Sequence, residues 1–332
     1  MTTRQTLYFA RPYKTEIRSE PIPAPLSHQV LVKTVLSAIS AGTEMLFYRN
    51  QVPSGMSVDA SIAGMDDTVQ YPISYGYCTA GEVVEIGSSV NTSWLGRRVF
   101  AFHPHTSHFV ADASTLLPIP ENLPYEQAVF LPNMETATNF LMDARPIVGE
   151  RVLILGLGVV GLLTTFLLHK FPVSEIAAID GYAKRKSLAS SWGVHSTLSP
   201  DKAYKLRQFD PDLILEVSSN PSALATAIEL AGYGTRIIVG SWYGDKLTHL
   251  PLGGSFHRNR VQLISSQVST LDGQFSNRWT KARRLRTAWQ HLASLPTESL
   301  ITHRLPLAEA ACAYEMLDKQ PDQAIQIVFT YA

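Results

Sequence analysis

The chain has 332 residues, 45% of them apolar, which is more than one core usually holds and enough to bury two. Its 28 basic and 28 acidic residues balance, so there is no bulk electrostatic reason to expect nucleic acid or an anionic membrane as partner, and a small-molecule substrate fits better. Two cysteines, Cys78 and Cys312, cannot build a disulfide framework, and the opening MTTRQTLYFARPYKTE has no apolar core of signal-peptide length, so a cytoplasmic protein is expected.

From residue 1 to about 140 the sequence is rich in proline and short β-branched runs. HQVLVKTVLSAIS, TAGEVVEIG and GRRVFAF predict strands, and EPIPAPLS and PIPENLP predict extended connectors. From about 148 strands alternate with helices: RVLILG then VVGLLTTFLLHKF, EIAAID then AKRKSLASSWG, DLILEVSS then PSALATAIELAG, then TRIIVGS. That alternation predicts parallel strands with crossover helices, a doubly wound sheet. After VQLISSQVS, two helices are expected in NRWTKARRLRTAWQHLASL and LAEAACAYEMLDKQ. The apolar run VLILGLGVVGLLTTFLL, residues 152 to 168, is marginal for a membrane span, and the Gly156-x-Gly158 break divides it into a strand and a helix.

Gly156, Gly158 and Gly161 follow a predicted strand and open a predicted helix. The first glycine permits a sharp turn, the second lets the backbone approach a pyrophosphate, and the third lets helix and strand pack closely. The N–H groups of Val159 and Val160 then lie in the first helical turn, at its positive end. Asp180 stands nineteen residues past Gly161, where a carboxylate accepts both ribose hydroxyls of an adenosine. Strand, turn, helix and acid together point to a nicotinamide dinucleotide. Asp180 favours NAD, because a carboxylate 4 Å from a 2′-phosphate costs about 4 kcal/mol in a partly screened site. Lys184 and Arg185 offset some of that repulsion, so NADP remains possible; Arg185 and Ser218 complete this part of the expected cofactor site.

Taken together these pieces resemble the medium-chain dehydrogenase/reductase superfamily, the zinc-type alcohol dehydrogenases and their relatives. The matching stretches are VLVKTVLSAIS followed by GTE, YGYCTAGEVVEIGSSV, LGRRVF, LLPIPENLPYEQAVFLPNMETATNF, the glycine turn, GSWYG and LITHRLPLAEAACAYEML. Within the superfamily the I-S-x-G-T-E sequence resembles the branch of the bacteriochlorophyllide hydroxyethyl dehydrogenase. The resemblance implies an α/β fold: a GroES-like, mostly-β catalytic domain over 1–140, completed by 270–332, and a Rossmann domain over 141–269. It also implies that Gly240, Ser241 and Trp242 contact the nicotinamide, and that the strand near Val261 to Val268 pairs with its mate in a homodimer.

In zinc-dependent members the metal is held by a cysteine after the first core strand, by the His of a Gly-His-Glu triplet, and by a Cys, Asp or Glu ahead of Thr-Ala. Here those positions fall on Ser40 or Ala41, on Tyr77 within Gly76-Tyr77-Cys78, and near Pro132 ahead of Thr136-Ala137. None is a good zinc ligand, and the four-cysteine structural lobe is missing, so no metal is expected. Hydrogen-bond donors must then stabilise the substrate oxygen, and Tyr77, Ser40, Thr43 and His103 are the candidates. Thr43 matches the family's proton-passing hydroxyl, whereas the histidine that ends that relay corresponds to Leu46.

His103, His105 and His108 crowd into AFHPHTSHFV. The spacing is compatible with a metal site, with His103 lining the substrate cleft while the other two face solvent, or with no chemical role. An ordinary pKa near 6.5 suits His103 to acid/base work, whereas Tyr77 suits a donor role. Trp242 and Tyr243 offer a flat wall for a ring-shaped substrate or close a hydrophobic loop. The loop YRNQVPSGMSVDASIAGMDDTVQYPIS is expected to shape the pocket. The expected function is a zinc-independent NAD(P)-dependent oxidoreductase interconverting an alcohol and a ketone or aldehyde, on a side chain of a flat heterocycle. The alternatives are reduction of an activated C=C bond and a dinucleotide-binding sensor or structural protein with little turnover.

Overall fold

The computed structural model describes residues 3–57 and 68–331. In chain order the first part contains β1 (Thr3–Arg11), β2 (Lys14–Pro21), β3 (Gln29–Ala38), helix α1 (Ala41–Tyr48), β4 (Thr79–Ile86), β5 (Arg98–Ala101), β6 (His108–Asp112), β7 (Leu117–Pro118), α2 (Tyr125–Ala128) and α3 (Leu131–Ala144). Then come β8 (Arg151–Leu155), α4 (Val159–Leu168), β9 (Glu175–Ile179), α5 (Ala183–Ser191), β10 (Ser196–Leu198), β11 (Leu213–Glu216), α6 (Pro221–Leu230), β12 (Arg236–Val239), β13 (Gln262–Ser265) and α7 (Lys281–Leu292). The chain ends with α8 (Thr297–Leu300), β14 (Ile301–Pro306), α9 (Ala310–Lys319) and β15 (Gln326–Thr330).

Contacts divide the chain into two compact units, Met1–Pro132 with Leu292–Ala332, and Asn133–His291. The divisions differ from the expected 140/141 and 269/270, and each falls in or at the end of a helix, α3 or α7. The basic helix α7 therefore belongs to the second unit. Its Arg284 is buried there and donates to Glu135 of α3.

The first unit is mostly antiparallel. β3 is its central strand, paired with β4 along one edge and with β6 and β15 along the other. Val30 and Val32 pack from β3 against Val83, Val99 and Phe109, and from Val32 to Leu36 buried and exposed residues alternate along the strand. β1 and β2 form a separate hairpin.

The second unit is a six-stranded parallel sheet in the order β10-β9-β8-β11-β12-β13. The order reverses between β8 and β11, and the crevice beyond the carboxyl ends of strands at such a switch point is where doubly wound sheets bind ligands. The apolar run 152–168 resolves into β8, a glycine turn and α4, with Leu162, Leu163, Leu167 and Leu168 buried. Two threonine hydroxyls within α4 are satisfied locally, Thr164 donating to the Val160 carbonyl and Thr165 to that of Gly161. No helix among the described residues is long and apolar enough to cross a membrane.

Candidate functional site

In the second unit the three glycines meet three different constraints. Gly156 has φ +99°, and a Cβ there would come within 2.5 Å of Ser218 Cα, so this position requires glycine for its conformation and for its contact with the segment after β11. A Cβ on Gly161 would meet the Gly156 carbonyl at 2.0 Å, which fixes the approach of α4 to the turn. At Gly158 the space is open, and the nearest atom is an Arg185 guanidinium nitrogen at 4.0 Å. Gly158 is also the N-cap of α4, whose first-turn N–H groups, at Val159 and Val160, have no acceptor within the helix. An anion entering here would meet a helix N-terminus without obstruction.

Asp180 follows β9 and is folded back over this turn. One carboxylate oxygen accepts from Leu157 N at 2.7 Å and the other from Tyr182 N at 2.8 Å. Each oxygen keeps acceptor capacity for a ribose hydroxyl. Arg185 stacks over the Tyr182 ring, 4.7 Å from its centroid. Beyond β11, Ser218 donates to Glu216 and Ser219 N donates to Ser241 Oγ at 2.8 Å, which ties the ends of β11 and β12 together. Gly240 lies against the Phe140 ring, so close that a Cβ would clash. Trp242 is half-buried.

Tyr243 does not form the expected wall. Its ring packs against the sheet core and its hydroxyl donates to Glu216 at 2.5 Å; burial and the Glu216 charge hold that phenol well above its ordinary pKa. Glu216 itself was given no role by the sequence, although an acid closing the apolar run LILE marks a buried carboxylate that needs partners.

In the first unit, Ala38 N donates to the Cys78 carbonyl at 2.9 Å, bringing the end of β3 beside the segment that leads into β4. Ser40, the N-cap of α1, thereby reaches Tyr77. The two hydroxyls share a short hydrogen bond, and Thr43 Oγ1 lies 3.3 Å from the Tyr77 hydroxyl. Burial raises the Tyr77 phenol well above its ordinary value, opposed by the bonds from Ser40 and Thr43, so it keeps its proton at neutral pH. Leu46 is buried in α1 and Cys78 is buried beside Tyr77, with its thiol pushed up by burial.

The three histidines take three separate paths. His103 is half-buried, stacks on Phe109 with ring centroids 4.1 Å apart, and has Nδ1 3.0 Å from the Pro104 carbonyl. Burial lowers its pKa to about 4, which removes the match to neutral-pH acid catalysis that its ordinary pKa suggested. His105, expected to face solvent, is fully buried, with Nε2 3.1 Å from Glu44 Oε2 and Nδ1 2.7 Å from Ser37 Oγ. His108, also expected in solvent, is half-buried beside Ser107. The acid in GTE, quoted only as part of a motif, is thus a buried partner of His105. An acid among apolar neighbours, in TEMLFY, was the available signal.

Among the described residues no group of three or more His, Cys, Asp or Glu side chains is placed to hold a metal. At the three positions where zinc-type relatives carry ligands stand an alcohol or an alanine, a phenol and a proline, and the phenol is already bonded to Ser40 and Thr43. This donor set does not suit zinc. Residues 58–67 of the loop expected to shape the pocket lie outside the described residues.

No family model matches the chain. It is 24% identical to D-guloside 3-dehydrogenase of Escherichia coli over 269 residues, 77% of each chain. It is 23% identical to L-threonine 3-dehydrogenase of Xanthomonas oryzae pv. oryzae over 335 residues, 90% of this chain and 91% of that one. In structure it is similar to an alcohol dehydrogenase of Escherichia coli CFT073 solved with NADH, with a TM-score of 0.79 at 18% identity and the whole of both chains covered. The chain is thus similar over most of its length to named dehydrogenases, and its fold is that of a dehydrogenase solved with NADH.

Proposed function

We propose that the protein interconverts an alcohol and a ketone or aldehyde without zinc, using the Tyr77 hydroxyl as donor to the substrate oxygen. The reading rests on one observation: Ser40 and Tyr77, at two of the three positions where zinc-type alcohol dehydrogenases carry ligands, share a hydrogen bond, with the Thr43 hydroxyl beside them. A nicotinamide dinucleotide supplies or takes up the hydride. Gly158 and the first turn of α4 would hold its pyrophosphate, and Asp180 its adenosine ribose. Asp180 favours NAD over NADP, with Arg185 moderating the preference.

As a carbonyl is reduced, negative charge develops on its oxygen. Tyr77, protonated at neutral pH, offers that oxygen a hydrogen bond, while Ser40 and Thr43 orient the phenol. His103, uncharged at neutral pH, is placed as an acceptor rather than as an acid. A substrate with a carbonyl on a flat heterocycle agrees with the half-buried Trp242, though Tyr243 is committed to Glu216. β13 ends the parallel sheet, with Gln262, Leu263 and Ser265 exposed, and this edge is the surface for a homodimer.

Deuteride transfer from 4-deuterated NADH to a panel of sugar ketones, aryl ketones, aldehydes and enones tests the reading. Transfer to a carbonyl carbon that survives chelators, and falls about 10²-fold or more in Tyr77→Phe, supports it. Transfer to the β-carbon of enones in preference to carbonyls would make the protein a C=C reductase instead. Loss of turnover to chelators, or one zinc per chain by elemental analysis, would remove the zinc-free mechanism. A monomer by light scattering would remove the dimer.

A further inference from the structure

Five side chains of the first unit form one hydrogen-bonded line through its interior. The Tyr331 hydroxyl lies 2.7 Å from Ser37 Oγ, Ser37 Oγ lies 2.7 Å from His105 Nδ1, and His105 Nε2 lies 3.1 Å from Glu44 Oε2. The Tyr314 hydroxyl donates to the same Glu44 oxygen at 2.5 Å. Ser37, His105, Glu44 and Tyr314 are fully buried. One arrangement satisfies every donor: Tyr331 donates to Ser37, Ser37 to Nδ1, and the Nε2 proton to Glu44. The line therefore converges on the Glu44 carboxylate, whose other oxygen accepts the Ser40 backbone N–H at 2.7 Å.

The same pair also touches the segment carrying Tyr77. Gly76 has φ +131°, and a Cβ there would lie 2.7 Å from His105 Cδ2, so the imidazole fills the space beside the residue before Tyr77. Glu44 thus holds one side of the Ser40–Tyr77 hydrogen bond and His105 the other.

We propose that the buried His105–Glu44 pair is the positioning device of the Tyr77 donor: Glu44 fixes Ser40 through its backbone N–H, and His105 fixes the Tyr77 backbone through Gly76. The inference rests on the reading of Tyr77 as donor to the substrate oxygen. The pair positions and does not relay a proton, because its link to Ser40 runs through a backbone N–H and not through the hydroxyl. A fully satisfied buried network is rigid, and a donor displaced by about 1 Å loses on the order of 10²-fold in rate, which gives such a device something to protect.

Protein labelled with ¹³Cζ-tyrosine reads the phenol directly, with the Tyr77 line identified by its absence in Tyr77→Phe and the lines of Tyr182 and Tyr243 as folding controls. In Glu44→Leu the Tyr77 line is expected to shift or split, whereas Glu44→Gln, which keeps an oxygen for the Ser40 N–H, leaves it in place. Where Glu44→Leu fails to fold, His105→Gln takes its place, keeping a donor toward Glu44 but removing the ring from Gly76, with the same displacement of the Tyr77 line expected. Carbonyl turnover in the displaced variants falls about 10–100-fold with KM little changed. A Tyr77 line unmoved in folded Glu44→Leu or in His105→Gln overturns the inference. Full turnover in Tyr77→Phe overturns the donor reading alone and leaves the spectroscopic result standing.

Discussion

Glu135 of the second unit and Glu44 of the first are both buried, and their partners differ. Glu135 in the second unit faces a formal cation: Arg284 donates to Glu135 Oε1 from Nε at 3.1 Å and from Nη2 at 2.9 Å, and grips the Asn139 side chain and the Val268 and Thr270 carbonyls as well. Glu44 in the first unit faces three donors, from His105, Tyr314 and the Ser40 backbone. Burial costs each carboxylate its hydration, and the compensation is one bidentate cation at Glu135 and three separate donors at Glu44. A single countercharge concentrates the risk, because its loss strands an ion. Several donors divide that risk and add geometry, which suits a network set beside a hydroxyl cluster.

The largest effect is expected from breaking the single ion pair. Arg284→Met should lower stability by about 3–5 kcal/mol in urea unfolding, and adding Glu135→Leu should restore most of it, because no ion then remains stranded. A loss below about 1 kcal/mol in the single variant would contradict the contrast between the two carboxylates.

A buried histidine bonded to a carbonyl rather than to a carboxylate sharpens the comparison. Folded protein holds His103 neutral down to about pH 4, whereas the unfolded chain takes up the proton below its ordinary 6.5. Acid therefore favours the unfolded state: the contribution is intact above pH 6.5, declines as pH falls, and is fully lost below 4. The loss amounts to about 3 kcal/mol at most, and His103→Gln should flatten the stability profile across that window. An identical acid profile in wild type and variant would refute the assignment.

Removing one donor from the divided network should cost less. Tyr314→Phe keeps the ring and leaves Glu44 two donors, so a loss of about 2 kcal/mol is expected, against the larger loss for Arg284. Equal losses would erase the distinction. The smallest effect concerns Asp180, a carboxylate held by the Leu157 and Tyr182 backbone N–H groups. Asp180→Asn should weaken NADH binding about tenfold, about 1.4 kcal/mol, and narrow its advantage over NADPH in calorimetric titration. Tighter NADPH binding by the unaltered protein would reverse the cofactor preference.

The candidate residues of the two units differed in how far they were legible. Gly156, Gly158, Gly161 and Asp180 could be singled out because a strand, a turn and a helix N-terminus are neighbours along the chain, and steric demands act at fixed spacing there. Tyr77 and Ser40 were singled out only as replacements for expected ligands, and Thr43 as the match of a proton-passing hydroxyl, all by resemblance. His105 was misplaced because His103 and His105 flank Pro104 identically in sequence, and nothing local says which imidazole turns inward. Glu44 was passed over for the same reason: its partners His105 and Tyr314 lie 61 and 270 residues further along the chain.

By itself the sequence determined the alternation of strands and helices, the glycine turn and the acid beside it, since all of these follow from side-chain period and backbone sterics over short spans. Only the tertiary structure decided which titratable groups lost water and what compensated them: His103 stacked on Phe109, His105 pressed against Gly76, Tyr243 drawn to Glu216 and Arg284 buried against Glu135. Desolvation and its compensation depend on atoms that packing brings from distant stretches, and no local pattern carries that information.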